Sequence, residues 1–286
     1  MNRPIQLITD SLMTGVGPLR VAQPLPVHAM RHADPFLLLH HAGPQRFEPG
    51  ATAHRIDPHP HRGFEPVTFV FRGNVLHRDS LGNAGTIGPG EVQWITSGSG
   101  IIHSEGPTPE LQEAGGELEL IQLWINLPAS KKMMTPAYQE LHAADIPVVT
   151  LLEGGCTINV VAGSYANVTG PAVTQSPLMA AMGTMKAGAS GSIAAPDFST
   201  VLLYVLNGSV RINGEHVVDR HRLVRFTSEG STIELDVVSD GSFLLLGGEP
   251  LNEPIAMYGP FVMNTEDELH TAMHDYATGR MGSLDE

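Results

Sequence analysis

Four residues that can bind a transition metal lie in two short stretches of the chain. The stretch HPHRGFEP contains His59 and His61, and the stretch GIIHSEGP contains His103 and Glu105. Side chains alternate between the two faces of a β-strand, so each pair points to one side of its strand. If the two stretches lie on neighbouring strands, three imidazoles and one carboxylate converge, which suits a divalent transition metal. On an octahedral ion, such a set leaves two positions open for a substrate.

The surroundings of these residues favour a metal site over a chance pair. The chain has 14 histidines, so an isolated His-x-His is weak evidence by itself. Here Pro60 and Gly63 restrict the backbone around the pair, and the HSE triplet follows a GPGEVQW turn. The separation of the two stretches along the chain is compatible with their lying on neighbouring strands of one small barrel.

The elements that must position these residues are short strands joined by turns. EPVTFVFRGNVLHRDS alternates and then breaks at Gly73, and GTIGPGEVQWITSGSG carries glycine and proline at its corners. This spacing predicts a β-sandwich or barrel. ELELIQLWINLP, at 117–128, predicts the strand that closes the first unit. ASKKMMTPAYQEL, which follows it, predicts an irregular linker that carries Lys131 and Lys132.

A second unit of the same kind begins near Val148. Its segment STVLLYVLNGSVRINGEHVV repeats the pattern of strand, glycine turn and strand, which predicts a duplicated barrel. Setting Gly208 against Gly73 puts Ala194 and Pro196 where His59 and His61 stand. Setting TSEGSTIELD against TSGSGIIHSE puts Glu234 and Asp236 opposite His103 and Glu105, so no histidine remains. The carboxylates of Glu234 and Asp236 that remain are a poor site for a transition metal. We therefore predict a C-terminal barrel without metal ligands.

Composition and the last segment of the chain complete the predicted architecture. In 286 residues, with 42% apolar and 16% charged residues, 31 glycines and 22 prolines favour an all-β protein. NTEDELHTAMHDYATGRMG predicts one short C-terminal helix, with a capping box at Thr265 and Glu268. The predicted domains are an N-terminal metal-binding barrel (1–135), a C-terminal barrel (136–255) and an extension whose helix packs back on the body (256–286).

Charge and the single cysteine exclude several classes of partner. The formal net charge is −14 and no Lys/Arg run exceeds a dipeptide, so direct binding to a nucleic acid is not expected. No run approaches the roughly 20 apolar residues of a membrane span. Cys156 has no second cysteine to pair with, and the first residues lack the apolar core of a signal peptide. A cytoplasmic protein is the expectation.

The two histidine stretches also carry a family resemblance. HPHRGFEPVTFVFRGNVLHRDSLGNAGTIGPGEVQWITSGSGIIHSEGP closely resembles the signature block of pirins, two-domain members of the cupin superfamily, and EPIAMYGPFVMNTEDEL is similar to their C-terminal part. The resemblance implies two tandem jelly-roll (cupin) β-barrels with one mononuclear site in the first. It implies His59, His61, His103 and Glu105 as ligands of one divalent ion. Fe(II) is the expected ion, and Ni, Co, Mn, Cu and Zn are alternatives.

Two nearby residues leave alternatives open. The general cupin pattern, in which a glutamate follows the histidine pair, would make Glu65 the carboxylate ligand, whereas pirins resemble the arrangement with Glu105. We expect Glu65 outside the ligand set, where it could orient a ligating imidazole. The alternative is a salt bridge with Arg62 or another nearby cation. His77, beside Asp79 in LHRDSLGN, is expected in a turn or an interface and not as a ligand.

The resemblance further implies an activity. Several bacterial pirins act as quercetin 2,3-dioxygenases, which open the flavonol ring with O2 and release carbon monoxide. The expected partners are thus a small aromatic or enol substrate and O2, with Glu105 as the catalytic base that removes the 3-hydroxyl proton. The alternative is a non-enzymatic, metal-dependent redox-sensing regulator that binds a transcription factor or metabolic enzyme, as eukaryotic pirins are thought to do. The acidic composition favours a protein partner in that case.

Overall fold

Strands make up most of the protein, which confirms the all-β class. The computed structural model describes residues 1–50 and 55–284. In chain order the strands are β1 (Ile5–Asp10), β2 (Leu12–Val16), β3 (Leu19–Leu25), β4 (Phe36–Phe47), β5 (Ile56–His61), β6 (Phe64–Arg72), β7 (Val75–Asp79), β8 (Ala84–Ile87), β9 (Val92–Thr96), β10 (Ile101–Pro107), β11 (Gly116–Asn126), β12 (Ala137–Leu141), β13 (Val148–Leu151), β14 (Cys156–Ala162), β15 (Ser164–Tyr165), β16 (Val168–Thr169), β17 (Leu178–Met185), β18 (Ser190–Ala194), β19 (Thr200–Ile212), β20 (His216–Asp219), β21 (Arg222–Phe226), β22 (Thr232–Gly248), β23 (Ala256–Tyr258) and β24 (Phe261–Met263). The α-helices of the described residues are α1 (Pro109–Ala114) and α2 (Glu266–Ala277), and short 3-10 segments span Ala129–Lys131, Ala143–Asp145 and Leu152–Gly154.

One compact unit contains both histidine stretches. It comprises Met13–Ala22, Phe36–Ala143 and Leu251–Glu286. Its strands form a four-stranded sheet in the order β5-β10-β7-β8 and a seven-stranded sheet in the order β12-β9-β6-β11-β4-β3-β2. The two histidine stretches lie on β5 and β10, which are antiparallel neighbours. This pairing is the arrangement that convergence of the candidate ligands requires.

The second compact unit has an apolar interior. It comprises Met1–Leu12, Gln23–Pro35 and Ala144–Pro250. Its sheet runs β1-β21-β19-β22-β17-β14-β13, with β18 beside β22 and β20 beside β19. The buried core along its strands consists of aliphatic and aromatic side chains with Met and Cys156.

The carboxylates of β22 lie outside this apolar core. Ile233, Leu235 and Val237 are buried, and Glu234 and Asp236 alternate with them. Glu234 accepts a hydrogen bond from the Asn2 side chain at 3.0 Å. Strand alternation therefore directs these carboxylates away from the interior that a metal site would occupy.

The two compact units are each discontinuous in the chain. β1 pairs with β21 in the sheet of the second unit, with Ile8 opposite Val224. The continuous limits 1–135, 136–255 and 256–286 stay a prediction. The prediction of an irregular linker after β11 is wrong in part, because Ala137–Leu141 forms β12 on the edge of β9.

The predicted C-terminal helix is confirmed as α2. The Thr265 hydroxyl accepts from the Glu268 amide at 3.2 Å, and the Glu268 carboxylate accepts from the Thr265 amide at 3.0 Å. This is the predicted capping box. The short helix α1 was not predicted. Within the described part of the chain, neither helix combines the length and apolar character that a membrane crossing needs.

Candidate metal centre

Three of the four predicted ligands form one cluster in the first unit. His59, His61 and His103 each offer a ring nitrogen, and these atoms lie within 4.8 Å of one another. His103 lies directly opposite His59 across the β5–β10 pair. The ring centroids are 4.3 to 4.8 Å apart. Within residues 1–50 and 55–284, this is the one group of three or more potential metal ligands.

The hydrogen bonds of these rings leave nitrogens available for an ion. His59 Nδ1 lies 2.8 Å from the Asp57 carbonyl, which can only accept, so Nδ1 carries the proton and Nε2 keeps its lone pair. Among the described residues, the buried His103 Nε2 and both ring nitrogens of His61 meet no partner at hydrogen-bond geometry. Buried polar atoms are rarely left without a partner, and an ion shared by the three imidazoles would give one nitrogen of each ring a partner. The residues therefore fit a transition metal.

Burial keeps two of the imidazoles in the form that binds metal. Desolvation, with the charge of His59 acting in the same direction, holds the pKa of His61 well below its usual range, against an opposing contact with the Pro260 backbone that falls short of hydrogen-bond geometry. The pKa of His103 is lowered by burial and then by His59, His61 and His77. Both side chains are therefore neutral at neutral pH. A ring nitrogen must be unprotonated to coordinate, so ion binding does not have to displace a proton from either ring.

Glu105 lies two residues after His103 on β10, against a pocket. The β5–β10 register shifts between these residues, so Glu105 lies opposite Ile56. Its carboxylate accepts hydrogen bonds from the side-chain amides of Gln93, at 3.3 Å, and Gln122. Glu105 and Gln122 are also part of the pocket wall. Sequence reasoning missed the two glutamines, which have no chemical signal of their own in the strands that carry them.

Glu65 lies in the seven-stranded sheet, on β6. Its Oε1 accepts hydrogen bonds from Trp94 Nε1 at 3.0 Å and from Thr96 Oγ1 at 2.8 Å. The preceding residue, Phe64, contacts His61, with ring centroids 5.0 Å apart. Because successive side chains of a strand point to opposite faces, Glu65 lies on the face of β6 opposite to Phe64. Its predicted role in orienting a ligating imidazole stays a prediction.

His77 lies in a strand and contacts the histidine cluster, whereas the sequence predicted it in a turn or an interface. It is fully buried in the middle of β7, and its Nδ1 lies 3.4 Å from His103 Nδ1. Its Nε2 lies 3.2 Å from Asp79 Oδ2. Burial opposes ionisation of Asp79, but hydrogen bonds from His77, Asn83 and Leu81 together lower its pKa. The pair could have been found from its spacing, since His77 and Asp79 are two apart, as are His59 and His61.

The backbone that follows His61 is held by the C-terminal extension. Arg62 donates to the Asp275 carboxylate of α2 at 2.9 Å and to the Ser99 carbonyl at 2.7 Å. Gly63 has a φ of 85°, and a Cβ at this position would lie 2.0 Å from the Val262 carbonyl oxygen. A side chain is thus excluded here both by the backbone conformation and by the close approach of β24.

Lys132 is the buried cation that joins these segments. Its ammonium donates to oxygens of Gly63, Asn126 and Val262 at 2.7 to 3.0 Å. Burial lowers its pKa to about 8, against the opposing charges of Glu253 and Glu268. Sequence reasoning assigned this residue to a linker, where a lysine is usually solvated.

The lowered pKa predicts how stability depends on pH. Between pH 8 and 10.5, Lys132 is protonated in the unfolded chain and neutral in the folded protein, so unfolding takes up a proton and rising pH favours the folded state. The free energy of unfolding of the metal-free wild type, minus that of Lys132→Met, should therefore rise across this window, by at most about 3 kcal/mol. Denaturant unfolding at several pH values measures this difference.

Lys186→Met is the matched control, because it removes an exposed ammonium whose partner is Asp240 at 3.3 Å. Its pH profile shows how much of the change in unfolding free energy comes from removing any lysine charge. The same pH profile for the Lys132 and Lys186 variants would contradict the lowered pKa of Lys132.

Comparison with known proteins agrees with this architecture. The family model described as Pirin matches residues 18–125, and the model described as Pirin C-terminal cupin domain matches residues 180–282. The chain is 43% identical over 250 residues, 87% of each protein, to a Pseudomonas aeruginosa protein named "Putative quercetin 2,3-dioxygenase PA2418". It is 34% identical over 284 residues, 97% of this chain and 92% of the relative, to Pirin of Rattus norvegicus.

A solved structure extends the agreement to the whole chain. The crystal structure of quercetin 2,3-dioxygenase from Acinetobacter baumannii superposes with a TM-score of 0.94, at 39% identity and with full coverage of both chains. The predicted architecture of two tandem cupin barrels is thereby confirmed. From these matches along most of its length, this chain belongs to the pirin family.

Proposed function

We propose that this protein is a metal-dependent dioxygenase that cleaves the ring of a flavonol or a related enol with O2, as quercetin 2,3-dioxygenases do. The observation that carries the proposal is the position of Glu105. Its carboxylate follows a cluster histidine by two residues on the same strand and forms part of a pocket wall. A carboxylate two residues from a candidate ligand and in the wall of a pocket is a suitable base for deprotonation of a bound enol.

The pocket beside Glu105 resembles a small-molecule site in its lining and not in its size. Its cavity volume is about 30 Å³ and it is partly open to solvent, which is below the roughly 300 to 1,000 Å³ of usual ligand pockets. Most of its wall is aliphatic. The polar groups are His40, Glu105 and Gln122. Burial lowers the pKa of His40 to about 4, so this imidazole is neutral and adds no charge to the pocket. An uncharged aromatic molecule with one ionisable hydroxyl matches this lining.

The proposed ligands are His59, His61, His103 and Glu105, and the proposed ion is Fe(II), with Ni, Co, Mn, Cu and Zn as alternatives. When bound, the ion would supply a Lewis acid and reactivity towards O2. Trp94 and Thr96 donate hydrogen bonds to the Glu65 carboxylate, which lies on the face of β6 opposite to Phe64. This placement supports Glu105, and not Glu65, as the carboxylate ligand. The names of the relatives in Pseudomonas aeruginosa and Acinetobacter baumannii support the reaction type.

The residues of the chain have separate tasks in this reaction. Glu105 accepts the proton of the substrate hydroxyl, and the side-chain amides of Gln93 and Gln122 hold its carboxylate in position. The aliphatic wall excludes water from the enolate that results, which strengthens its interaction with nearby charges. Ring cleavage consumes one O2 and releases one carbon monoxide per flavonol, so no further reductant is needed.

The test is turnover of quercetin by protein loaded with one defined ion. Chelator-treated protein is reconstituted with each candidate metal, Fe(II) under anaerobic conditions, and then mixed with quercetin in air. We expect loss of the visible absorbance of quercetin with matching release of carbon monoxide. Because free metal ions also oxidise flavonols, the controls are the same ion without protein and the same ion with the His103→Ala variant.

A negative result has a defined meaning. If protein that holds one ion per chain consumes quercetin no faster than the free ion does, the dioxygenase proposal fails. The metal-dependent regulator would then be the remaining function, and its test would be protein binding that depends on the bound ion.

A further inference from the structure

We propose that His77 and Asp79 form a hydrogen-bonded relay that fixes the tautomer and the ring orientation of His103, so that its Nε2 lone pair is presented to the metal. Both are positioning residues, since they act through His103. The inference rests on the proposed metal centre but not on the proposed dioxygenase activity.

The direction of the relay follows from its acceptor end. Asp79 Oδ1 accepts from the backbone amides of Leu81 and Asn83, at 2.9 and 3.0 Å. Its Oδ2 accepts from the Asn83 side chain at 2.8 Å and lies 3.2 Å from His77 Nε2. An ionised carboxylate only accepts, so His77 Nε2 must carry a proton.

The proton on His77 Nε2 determines the rest of the chain of hydrogen bonds. The proposed relay assigns His77 a single ring proton, on Nε2, so its Nδ1 has a lone pair. His103 Nδ1 lies 3.4 Å from it and must therefore donate. The proton of His103 is then on Nδ1, and Nε2 is unprotonated. Nε2 is also the His103 atom that has no hydrogen-bond partner among the described residues.

Neighbouring elements hold the relay in place. The ring of Tyr138, on β12, stacks on His77 with centroids 4.6 Å apart and an interplanar angle of 8°. On the other side, β7 pairs with β10, with Asp79 opposite His103 and His77 opposite Glu105. A histidine ligand that donates its second nitrogen to a fixed acceptor binds metal more tightly and in one orientation. Here the acceptor is another imidazole, itself fixed by a carboxylate.

The relay predicts that Asp79→Asn reverses the direction of its hydrogen bonds, because one carboxylate oxygen is replaced by an NH2 group. In Asp79→Asn, the amide oxygen can keep both backbone hydrogen bonds and the NH2 group faces His77 Nε2. The amide then requires a lone pair on His77 Nε2, which moves the proton of His77 to Nδ1. His103 Nδ1 must become the acceptor, and its proton moves to Nε2, the atom that the metal needs. The Asn83 side-chain amide can turn over to accept from the new NH2.

Two measurements test the relay on the full chain. The first is long-range ¹H–¹⁵N NMR of the histidine rings in metal-free protein, with His103 assigned from the spectrum of His103→Gln. We expect His103 as the Nδ1–H tautomer in the wild type and as the Nε2–H tautomer in Asp79→Asn. The second is the affinity for Zn²⁺ and Co²⁺ by competition with a chelator, where Asp79→Asn should bind roughly 10- to 100-fold more weakly.

His77→Phe provides a second variant that keeps the aromatic stack on Tyr138 but removes the acceptor. It should also lower the affinity by roughly 10- to 100-fold, with one ion still bound per chain at saturation. The matched control is Glu119→Gln, which alters another buried carboxylate–histidine pair, with His41 at 3.3 Å. It should leave the His103 tautomer unchanged.

The outcomes separate the relay from the metal centre. The relay is overturned if wild-type His103 is the Nε2–H tautomer, or if Asp79→Asn keeps both the wild-type tautomer and the wild-type affinity. If the tautomers follow the expected pattern but the wild type binds neither ion, the metal centre is wrong and the relay stands as a structural feature.

Discussion

Replacing His103 with alanine is expected to weaken the binding of a divalent transition metal by at least about 100-fold. The side chain is fully buried, lies directly opposite His59 and supplies one of the three clustered ring nitrogens. Loss of an outer hydrogen-bond partner already costs roughly 10- to 100-fold in affinity, and loss of a ligand removes a donor outright. Chelator competition and elemental analysis measure the effect, and His59→Ala and His61→Ala should behave in the same way.

Wild-type protein should bind a single ion per chain in this experiment. His142→Ala is the control, since that imidazole is about half exposed, follows β12 directly and pairs with Glu91 at 3.2 Å. It should keep full metal content. Two tightly bound ions per wild-type chain, or a His103→Ala variant with unchanged affinity, would contradict the assignment. Circular dichroism of each metal-free variant shows whether a loss of metal reflects a loss of fold.

The histidine cluster could be predicted from sequence because it depends on local periodicity. Within β5, His59 and His61 are two apart, so their common direction follows from strand geometry alone. The step from the His59–His61 pair to the three-histidine cluster needed only that β5 and β10 be neighbours. The strand pattern of the first unit and the capping box of α2 are likewise local signals, and both are observed.

Sequence reasoning misplaced the residues around the cluster, because the alternation of side chains between two faces holds only within one strand. The even spacing of His61 and Glu65 does not give them a common face, since β5 ends at His61 and β6 begins at Phe64 after Gly63, which has a positive φ. His77 was assigned from the turn-forming residues that follow it, although the observed strand runs to Asp79. The stacking partner of His77 comes from β12, 61 positions later, and no pattern in the sequence indicates that contact.

The largest effect on catalysis is expected for Glu105→Gln. With the metal site saturated, this variant should lose flavonol turnover by about 10²- to 10⁴-fold, the usual contribution of a positioned base. The amide keeps the size of the side chain. Its oxygen can accept from Gln122, whose own Oε1 accepts from Trp124 Nε1 at 3.1 Å, and its NH2 can face Gln93, whose side-chain amide can turn over to accept. The fold should therefore persist, while metal affinity falls because a charged oxygen donor is lost.

Glu65→Gln is the matched comparison, because it makes the same chemical change at a second buried carboxylate of the same unit. Trp94 and Thr96 both donate to Glu65 Oε1, and a glutamine oxygen can accept both hydrogen bonds. Its turnover should fall by no more than the roughly 10- to 100-fold typical of an outer residue. Both variants have to be assayed at equal measured metal content, since an empty site would otherwise be mistaken for a missing base. If Glu65→Gln is inactive and Glu105→Gln turns over flavonol normally, the carboxylate of the site is Glu65, and the position of Glu105 in the pocket wall has no catalytic meaning.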